Sequence, residues 1–311
     1  MSFDIIDVEF CLGSNKINLY KDFDSNTKEK FIKKTGIPNV YHSNDDEDVI
    51  SLSVKSTKKL FKKKKINPNE IDLLIFVTQT NPFFLPSASA IIQNQLNLRE
   101  NCICLDINLG CSGFIYALSI VNNYFINSNY SNALVVCSDT YSKFIDKNDK
   151  STYLLFSDAS SCTLLKKRKK DPFNFILKTD GSGFDKLICA NNLTNNKSSY
   201  LKMIGSDIYQ FTMSEIPKII LEILKINKLD INHINYFLFH QASQIVLESL
   251  IRKLNIHKEK VPTNYQKFGN TVSSTIPILI YDMIANGNIN NSKLCLSGFG
   301  VGLSWGSFIY E

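Results

Sequence analysis

Four short stretches carry residue types that can do chemistry. Leu109-Gly-Cys-Ser-Gly113 follows an apolar run, Cys102 to Asn108, and opens a helical pattern. Cys111 therefore falls on a sharp strand-to-helix turn, where Gly110 and Gly113 allow tight backbone. The unpaired N–H groups and positive dipole end of a helix start lower a thiol pKa and hold an oxyanion. That setting suits an activated nucleophile, although Gly-Cys-Ser-Gly read alone also serves as an ordinary turn. Phe239-His-Gln-Ala-Ser243 puts His240 at a strand end, before a helix from Gln244 to Leu254. Sites of α/β proteins gather at that edge, but a purely structural histidine fits there too. Lys267-Phe-Gly-Asn-Thr-Val-Ser-Ser274 puts Asn270 in a Gly-containing loop, which by itself is a turn. Ser297-Gly-Phe-Gly-Val-Gly302 reads as a glycine-rich loop between strands Leu294 to Leu296 and Ser304 to Tyr310. It leads into a strand and not a helix, so a phosphate-binding fingerprint is the wrong reading. Backbone closely approaching a substrate is the better one.

The elements that must position these residues alternate. A Lys-rich helix from Val49 to Lys65 precedes a buried strand, Ile71 to Val77. After a loop bounded by Pro82 and Pro86 come a helix from Ser87 to Leu96, a strand from Cys102, a helix from Ser112 to Ile126, and a strand from Ala133 to Ser138. This is an α/β pattern with sheets covered on both faces. A weak internal repeat points further: Asn69-Glu-Ile-Asp-Leu-Leu-Ile-Phe76 lines up with Asn232-His-Ile-Asn-Tyr-Phe-Leu-Phe239, and Asn132-Ala-Leu-Val-Val-Cys137 echoes Ser292-Lys-Leu-Cys-Leu-Ser297. Two matches in the same order favour a duplicated unit, divided as residues 1–168 and 169–311. The basic stretch near Leu165 to Pro172 then reads as a surface connection.

With 311 residues, 44% of them apolar, the chain can bury a large core. It has no apolar run long enough for a membrane span and no basic, apolar leader at Met1, so it reads as a soluble, cytoplasmic protein. Its eight cysteines form no CxxC pair and its four histidines no HxxxH spacing, which leaves no zinc signature. Most of the cysteines read as small buried hydrophobes. The net charge of +6 gathers in Lys62 to Lys65 and Lys166 to Lys170, runs that are usually solvated faces. No aromatics interleave with them, which argues against nucleic acid.

Taken jointly, the Cys, His, Asn and Gly-rich features resemble the thiolase superfamily, and within it β-ketoacyl-acyl-carrier-protein synthase III. The resemblance spans nearly the whole chain: Lys34-Thr-Gly-Ile37, Leu85-Pro-Ser-Ala88, Asp106-Ile-Asn-Leu-Gly-Cys-Ser-Gly-Phe114, Phe156-Ser-Asp-Ala159, His240-Gln-Ala242, Phe268-Gly-Asn-Thr271 and Trp305-Gly-Ser307. It implies a thiolase-like fold of duplicated βαβ halves in five αβαβα layers, with Cys111 in the first half and His240 and Asn270 in the second. It implies that Cys111 takes an acyl group from acyl-CoA or an acyl-carrier protein. The backbone N–H groups of Cys111 and Val301 would hold the oxyanion. His240 and Asn270 would then stabilise the enolate of a decarboxylating malonyl-carrier protein. The same groups fit an acyltransferase passing the acyl group to an amine or hydroxyl, with His240 as general base. A scaffold that merely retained the fold would have no use for Cys111. No metal, flavin or nucleotide cofactor is called for, and the family resemblance implies a homodimer in which the strand Ala133 to Ser138 pairs across the two-fold axis.

Departures from the family pattern shape the expected substrate site, which comprises Lys34, Leu85, Lys150, Phe299, Gly300 and Gly302. The family's Gly-Gly-Gly reads Gly300-Val-Gly302. Its adenine-stacking tryptophan has no counterpart, since the only tryptophan is Trp305. Lys34 and Lys150 stand where arginines assist that ring, and lysine lacks the planar guanidinium. Leu85 replaces a bulky aromatic that limits the acyl pocket and could reach a partner's cavity. The family's carrier-docking arginine is absent around Gln244 and Ile245, which leaves Arg252 and Lys253 as docking candidates. Together these changes lead us to expect a carrier-bound or non-acetyl donor and a specialised pathway.

Overall fold

The computed structural model describes residues 1–190, 200–289 and 291–311. In the first half, in chain order, lie β1 (Ser2–Leu12), β2 (Asn15–Asn18), α1 (Ser25–Thr35), β3 (Asn39–His42), α2 (Val49–Lys64), β4 (Leu73–Val77) and α3 (Ala88–Gln95). They are followed by β5 (Ile103–Ile107), α4 (Gly113–Asn127), β6 (Asn132–Asp139), α5 (Lys150–Tyr153) and β7 (Ala159–Arg168). The second half has β8 (Phe175–Thr179), β9 (Leu187–Ile188), β10 (Lys202–Met203), α6 (Gly205–Ile226), β11 (Tyr236–Phe239) and α7 (Gln244–Leu254). It closes with α8 (Tyr265–Phe268), α9 (Thr275–Ala285), β12 (Leu294–Gly300) and β13 (Ser304–Tyr310).

Two sheets form the frame. One has the order β1-β7-β6-β4-β5, the other β11-β12-β13-β8. The repeated sequence pairs occupy matching places in them. β4 runs parallel to β6 with Leu73 opposite Ala133, and β11 runs parallel to β12 with Tyr236 opposite Leu294. Each inner strand then meets an antiparallel neighbour, β7 or β13. Short 3₁₀ turns lead into β4 and β11, each opened by a side-chain cap from Asn67 or Asp230. The duplication seen in sequence is thus a duplication of sheet topology.

All five residues of β4, Leu-Leu-Ile-Phe-Val, are buried, as a parallel strand covered on both faces requires. On its outer face α2 and α3 pack, with Ile50, Leu60, Leu74, Phe76 and Ile92 in one apolar cluster. Asp48 and Ser51 close a capping box at the start of α2. Between the sheets lie α4 and α9, whose Phe114, Leu118, Ile276 and Ile280 meet Ile75 and Val135 from one side and Leu238 and Leu296 from the other. Outside the second sheet α6 and α7 bury Ile216, Ile220, Leu247 and Leu250. The result is five layers, αβαβα, with the two sheets separated by helices.

Three expectations change. β6 is hydrogen-bonded on both sides, to β4 and β7, so it has no edge to offer a partner; the edge strands of this sheet are β1 and β5. Ser297 to Gly300 belong to β12, and the turn to β13 is only Val301 to Leu303. Lys166, Lys167 and Arg168 end β7 and are not a connection. There Arg168 bonds Asp4 at 2.9 Å and lies over the Phe173 ring at 4.9 Å.

Candidate active site

β5 delivers the chain to residues 108–112, and α4 begins at Gly113, whose N–H donates to the Gly110 carbonyl at 2.8 Å. Cys111 sits on this turn. Neither Gly110 nor Gly113 has a positive φ, so space and not backbone conformation is the reason for Gly110. A Cβ there would lie 2.3 Å from the Gln79 amide oxygen, which accepts from the Tyr141 hydroxyl at 2.8 Å. From the opposite sheet, β12 presses glycines onto the same turn. A Cβ at Gly298 would stand 2.7 Å from the Cys111 carbonyl, and one at Gly300 would stand 3.1 Å from the Cys111 Sγ. The Ser112 hydroxyl meets that of Ser304 at 2.6 Å, tying the turn to β13.

The thiol departs from expectation. Burial, seconded by the Asp139 carboxyl, pushes Cys111 well above its ordinary value, so the fold opposes the lowering that a helix start supplies. Asp139 ends β6 and accepts from the Gln79 N–H at 2.8 Å and from the Ser273 hydroxyl. Burial raises its own pKa to about 7 despite those donors.

His240 follows β11 directly, and its N–H donates to the Ser297 carbonyl of β12 at 3.0 Å. The ring is 2% exposed, and burial pulls its pKa down to about 3, so it is neutral at any physiological pH. Its Nδ1 lies 2.7 Å from the Thr275 hydroxyl, and its Nε2 lies 3.5 Å from Asn270 Nδ2. The edge of Phe299 closes the other side, with the ring planes at 89°. Asn270 is anchored on three sides. Its N–H donates to the Leu155 carbonyl and its carbonyl accepts from Ser157, both at 2.9 Å. Its Oδ1 accepts the Val272 N–H at 2.9 Å, which turns Nδ2 toward the imidazole.

A cavity of about 530 Å³ brings Cys111, His240, Asn270, Phe299 and Gly300 together. Lys34 and Lys150 also line it, and the Lys150 ammonium lies 5.1 Å from the Phe23 ring centre and 5.9 Å from that of Phe31. Trp305 is buried against Phe211 in the second half. Other expected residues stand elsewhere. Leu85 is 86% exposed and does not line its own chain's cavity; neither do Val301 and Gly302, which make the adjoining turn. Arg252 and Lys253 sit near the end of α7, where Arg252 donates to the Ser249 hydroxyl at 3.0 Å. Phe31, Leu155, Leu187, Met203 and Ile208, which were not singled out in the sequence, supply much of the apolar wall together with Phe156 of the Phe156-Ser-Asp-Ala159 motif. Of the others, Phe31 left a signal, three residues before Lys34 and hence on one face of α1. Among the described residues, no His, Cys, Asp and Glu side chains form a metal-holding group.

Comparisons with known proteins agree with this geometry. The family model described as "3-Oxoacyl-[acyl-carrier-protein (ACP)] synthase III" matches residues 105–181, and that described as its "C terminal" matches residues 224–311. The beta-ketoacyl-[acyl-carrier-protein] synthase III of Streptococcus sanguinis is 32% identical over 295 residues, 91% of this chain and 90% of its own length. That of Clostridium botulinum strain Loch Maree is 34% identical over 272 residues, 84% of this chain and 83% of its own. The crystal structure of 3-oxoacyl-(acyl-carrier protein) synthase from Burkholderia xenovorans LB400 superposes with a TM-score of 0.93 at 32% identity, covering 99% of this chain and 93% of that one. The synthase III from Aquifex aeolicus VF5 gives 0.89 at 26% identity, covering 99% of both chains. The chain belongs to the β-ketoacyl-acyl-carrier-protein synthase III family, transferases of the ketoacyl synthase type built on the thiolase fold.

Proposed function

We propose that the protein joins an acyl group to the two-carbon unit of a malonyl-carrier protein in a decarboxylative Claisen condensation. Cys111 Sγ attacks the donor's thioester carbonyl, the carbon–sulfur bond to the donor breaks, and the departing thiolate takes up the thiol's proton. The backbone N–H of Cys111, and that of Val301 on the turn adjoining the cavity, are the proposed donors to the oxyanion. A malonyl thioester then loses carbon dioxide, and the electron pair of the broken carbon–carbon bond becomes an enolate. Its oxygen takes hydrogen bonds from His240 Nε2 and Asn270 Nδ2. The enolate carbon attacks the acyl carbon, and Cys111 leaves as the thiolate. One observation carries this reading: two neutral nitrogen groups 3.5 Å apart face the same cavity as a buried thiol. Losing either donor would raise the barrier by about 2.7–4 kcal/mol.

Transfer to an amine or hydroxyl is the weaker reading. It needs His240 to accept a proton, and a ring whose pKa is about 3 is a poor base. On the donor side, Lys34 and Lys150 offer point charges to a phosphate without clamping a nucleotide ring. This supports a donor held mainly through its pantetheine arm and acyl chain, whether carrier-bound or other than acetyl. Arg252 and Lys253 are the proposed contacts for an acidic carrier.

The reading extends to assembly. We place the division between halves at 168/169, supported by one sheet drawing on residues up to Arg168 and the other on residues from Phe175. The free edge of β5, beside the exposed Phe83, Phe84 and Leu85, supports a homodimer formed along that edge. In such a dimer Leu85 would reach the partner's cavity. The buried free thiols of Cys11, Cys102, Cys111, Cys137, Cys162 and Cys295 favour a reducing compartment, the cytoplasm.

The test is intact-protein mass spectrometry after offering acyl-CoAs and acyl-carrier proteins, with Cys111→Ala alongside. A mass gain on the wild type alone, discharged by malonyl-carrier protein with carbon dioxide release, is the expected result. An acyl-enzyme that malonyl-carrier protein cannot discharge would overturn condensation.

A further inference from the structure

For His240 to stabilise an enolate it must present a hydrogen on Nε2, yet a neutral imidazole carries its one hydrogen on either nitrogen. What selects the nitrogen is the group facing Nδ1. Here that group is the Thr275 hydroxyl, at 2.7 Å, with both partners buried. Thr275 opens α9, the helix between the two sheets, and so approaches the ring from behind as seen from the cavity.

The hydroxyl has one hydrogen and two acceptors in reach. The Val272 carbonyl is the more distant, at 3.1 Å, and it already accepts the Thr275 backbone N–H. Nδ1 is closer and has no other hydrogen-bond partner among the described residues. The far side of the ring agrees. Asn270 is locked with Nδ2 toward Nε2, because its Oδ1 accepts from Val272. If Nε2 bore a lone pair, these two nitrogens would bond and close to about 2.9–3.0 Å. They stay 3.5 Å apart, the spacing of two N–H groups side by side and turned to a common guest.

We infer that Thr275 is a positioning residue that donates its hydroxyl hydrogen to Nδ1 of His240, fixing the tautomer whose Nε2–H, together with Asn270, receives the malonyl enolate oxygen. The inference rests on the condensing reading for its purpose, though not for its geometry. Thr275 does not line the cavity, and its hydroxyl meets only His240 and Val272 among the described residues. Its loss strikes the decarboxylating half-reaction and spares acylation of Cys111.

The test has two separate readouts. The protein is labelled with ¹⁵N-histidine and its imidazole nitrogens are observed by long-range proton–nitrogen correlation, His240→Gln assigning the signals. The wild type is expected to carry its hydrogen on Nε2, Thr275→Ser to match it, and Thr275→Val, nearly the same in volume, to populate the Nδ1–H form. Malonyl-carrier protein decarboxylation is expected to fall by about 10²-fold in Thr275→Val and to return in Thr275→Ser. Acylation of Cys111 should stay within about twofold throughout. A wild-type hydrogen on Nδ1, or a Thr275→Val protein with unchanged tautomer, would overturn the inference. An Nε2–H wild type that acylates but never decarboxylates malonyl thioesters would leave the tautomer assignment standing and bring down the condensing reading instead.

Discussion

Burial does opposite things to the two reacting groups that share the cavity. It raises the Cys111 thiol above its ordinary 9.0 and lowers the His240 imidazole from 6.5 to about 3. The two half-reactions should therefore answer differently to pH. In rapid-quench measurements, acylation is expected to climb between about pH 6 and pH 9 as a growing fraction of thiol ionises. Condensation from preformed acyl-enzyme should show no acid limb from His240 above about pH 4. Stability carries the same signature. The unfolded chain binds a proton at His240 as pH falls through 6.5, while the fold refuses it until about 3. The contribution is complete above pH 6.5 and drains away toward pH 3, and in His240→Gln the acid decline of the thermal midpoint should be shallower. Cys111, His240 and Asn270 were legible because each stands at a junction announced by apolar runs and glycines. Thr275 was not, since one hydroxyl in Ser-Ser-Thr-Ile-Pro looks like any helix start. The cavity wall was hidden for a related reason: nothing beside Leu187 or Met203 in the sequence sets them apart from other apolar residues, and only the fold brings them to the cavity of Cys111.

At the scale of elements, β12 is the strand to perturb. Its glycines press on the nucleophile's turn, Gly298 against backbone and Gly300 against the Cys111 side chain. Gly298→Ala places a methyl group 2.7 Å from the Cys111 carbonyl and 3.0 Å from the Ser112 Cα, neither of which can swing aside. The substitution should cost about 1–3 kcal/mol in a denaturant titration. It should also slow acylation more than tenfold (about 1.4 kcal/mol of barrier), because the thiol moves with its turn. This strand also shows where sequence reading fails. A run such as Ser-Gly-Phe-Gly-Val-Gly signals a loop when propensity is the only guide, yet most of it pairs with β13 in regular register from Leu294 to Gly300. Tertiary space demanded Gly298 and Gly300, whereas Gly302, in the turn with φ +136°, meets a demand of the backbone itself. By contrast, the start of β13 and both ends of α7 stood where the apolar pattern put them.

Across the whole molecule, the open edge of β5 is the feature with the largest effect on behaviour in solution. Leu105, 37% exposed on that edge, is the residue to change. Leu105→Lys sets a charge where two strands would meet, and sedimentation velocity should then find monomer where the wild type runs as dimer. A wild type that sediments as monomer would remove the dimer proposal itself. The doubled plan was legible in two short matches, but the strand expected from the family resemblance to pair across the two-fold axis, Ala133 to Ser138, lies inside the sheet, because an apolar run does not tell how many neighbours a strand has. The doubled plan also bears on ancestry. A forerunner of half this length would have kept α4 over β4 but bared the other side of α4, including Phe114 and Leu118, which α9 and the opposite sheet now cover. Two copies meeting through that face would have hidden it, and on that route one chain's interior corresponds to a boundary between chains. Chemistry that arose on such a boundary had to borrow from both sides. Cys111 on one side of the join, with His240 and Asn270 on the other, still records that division of labour.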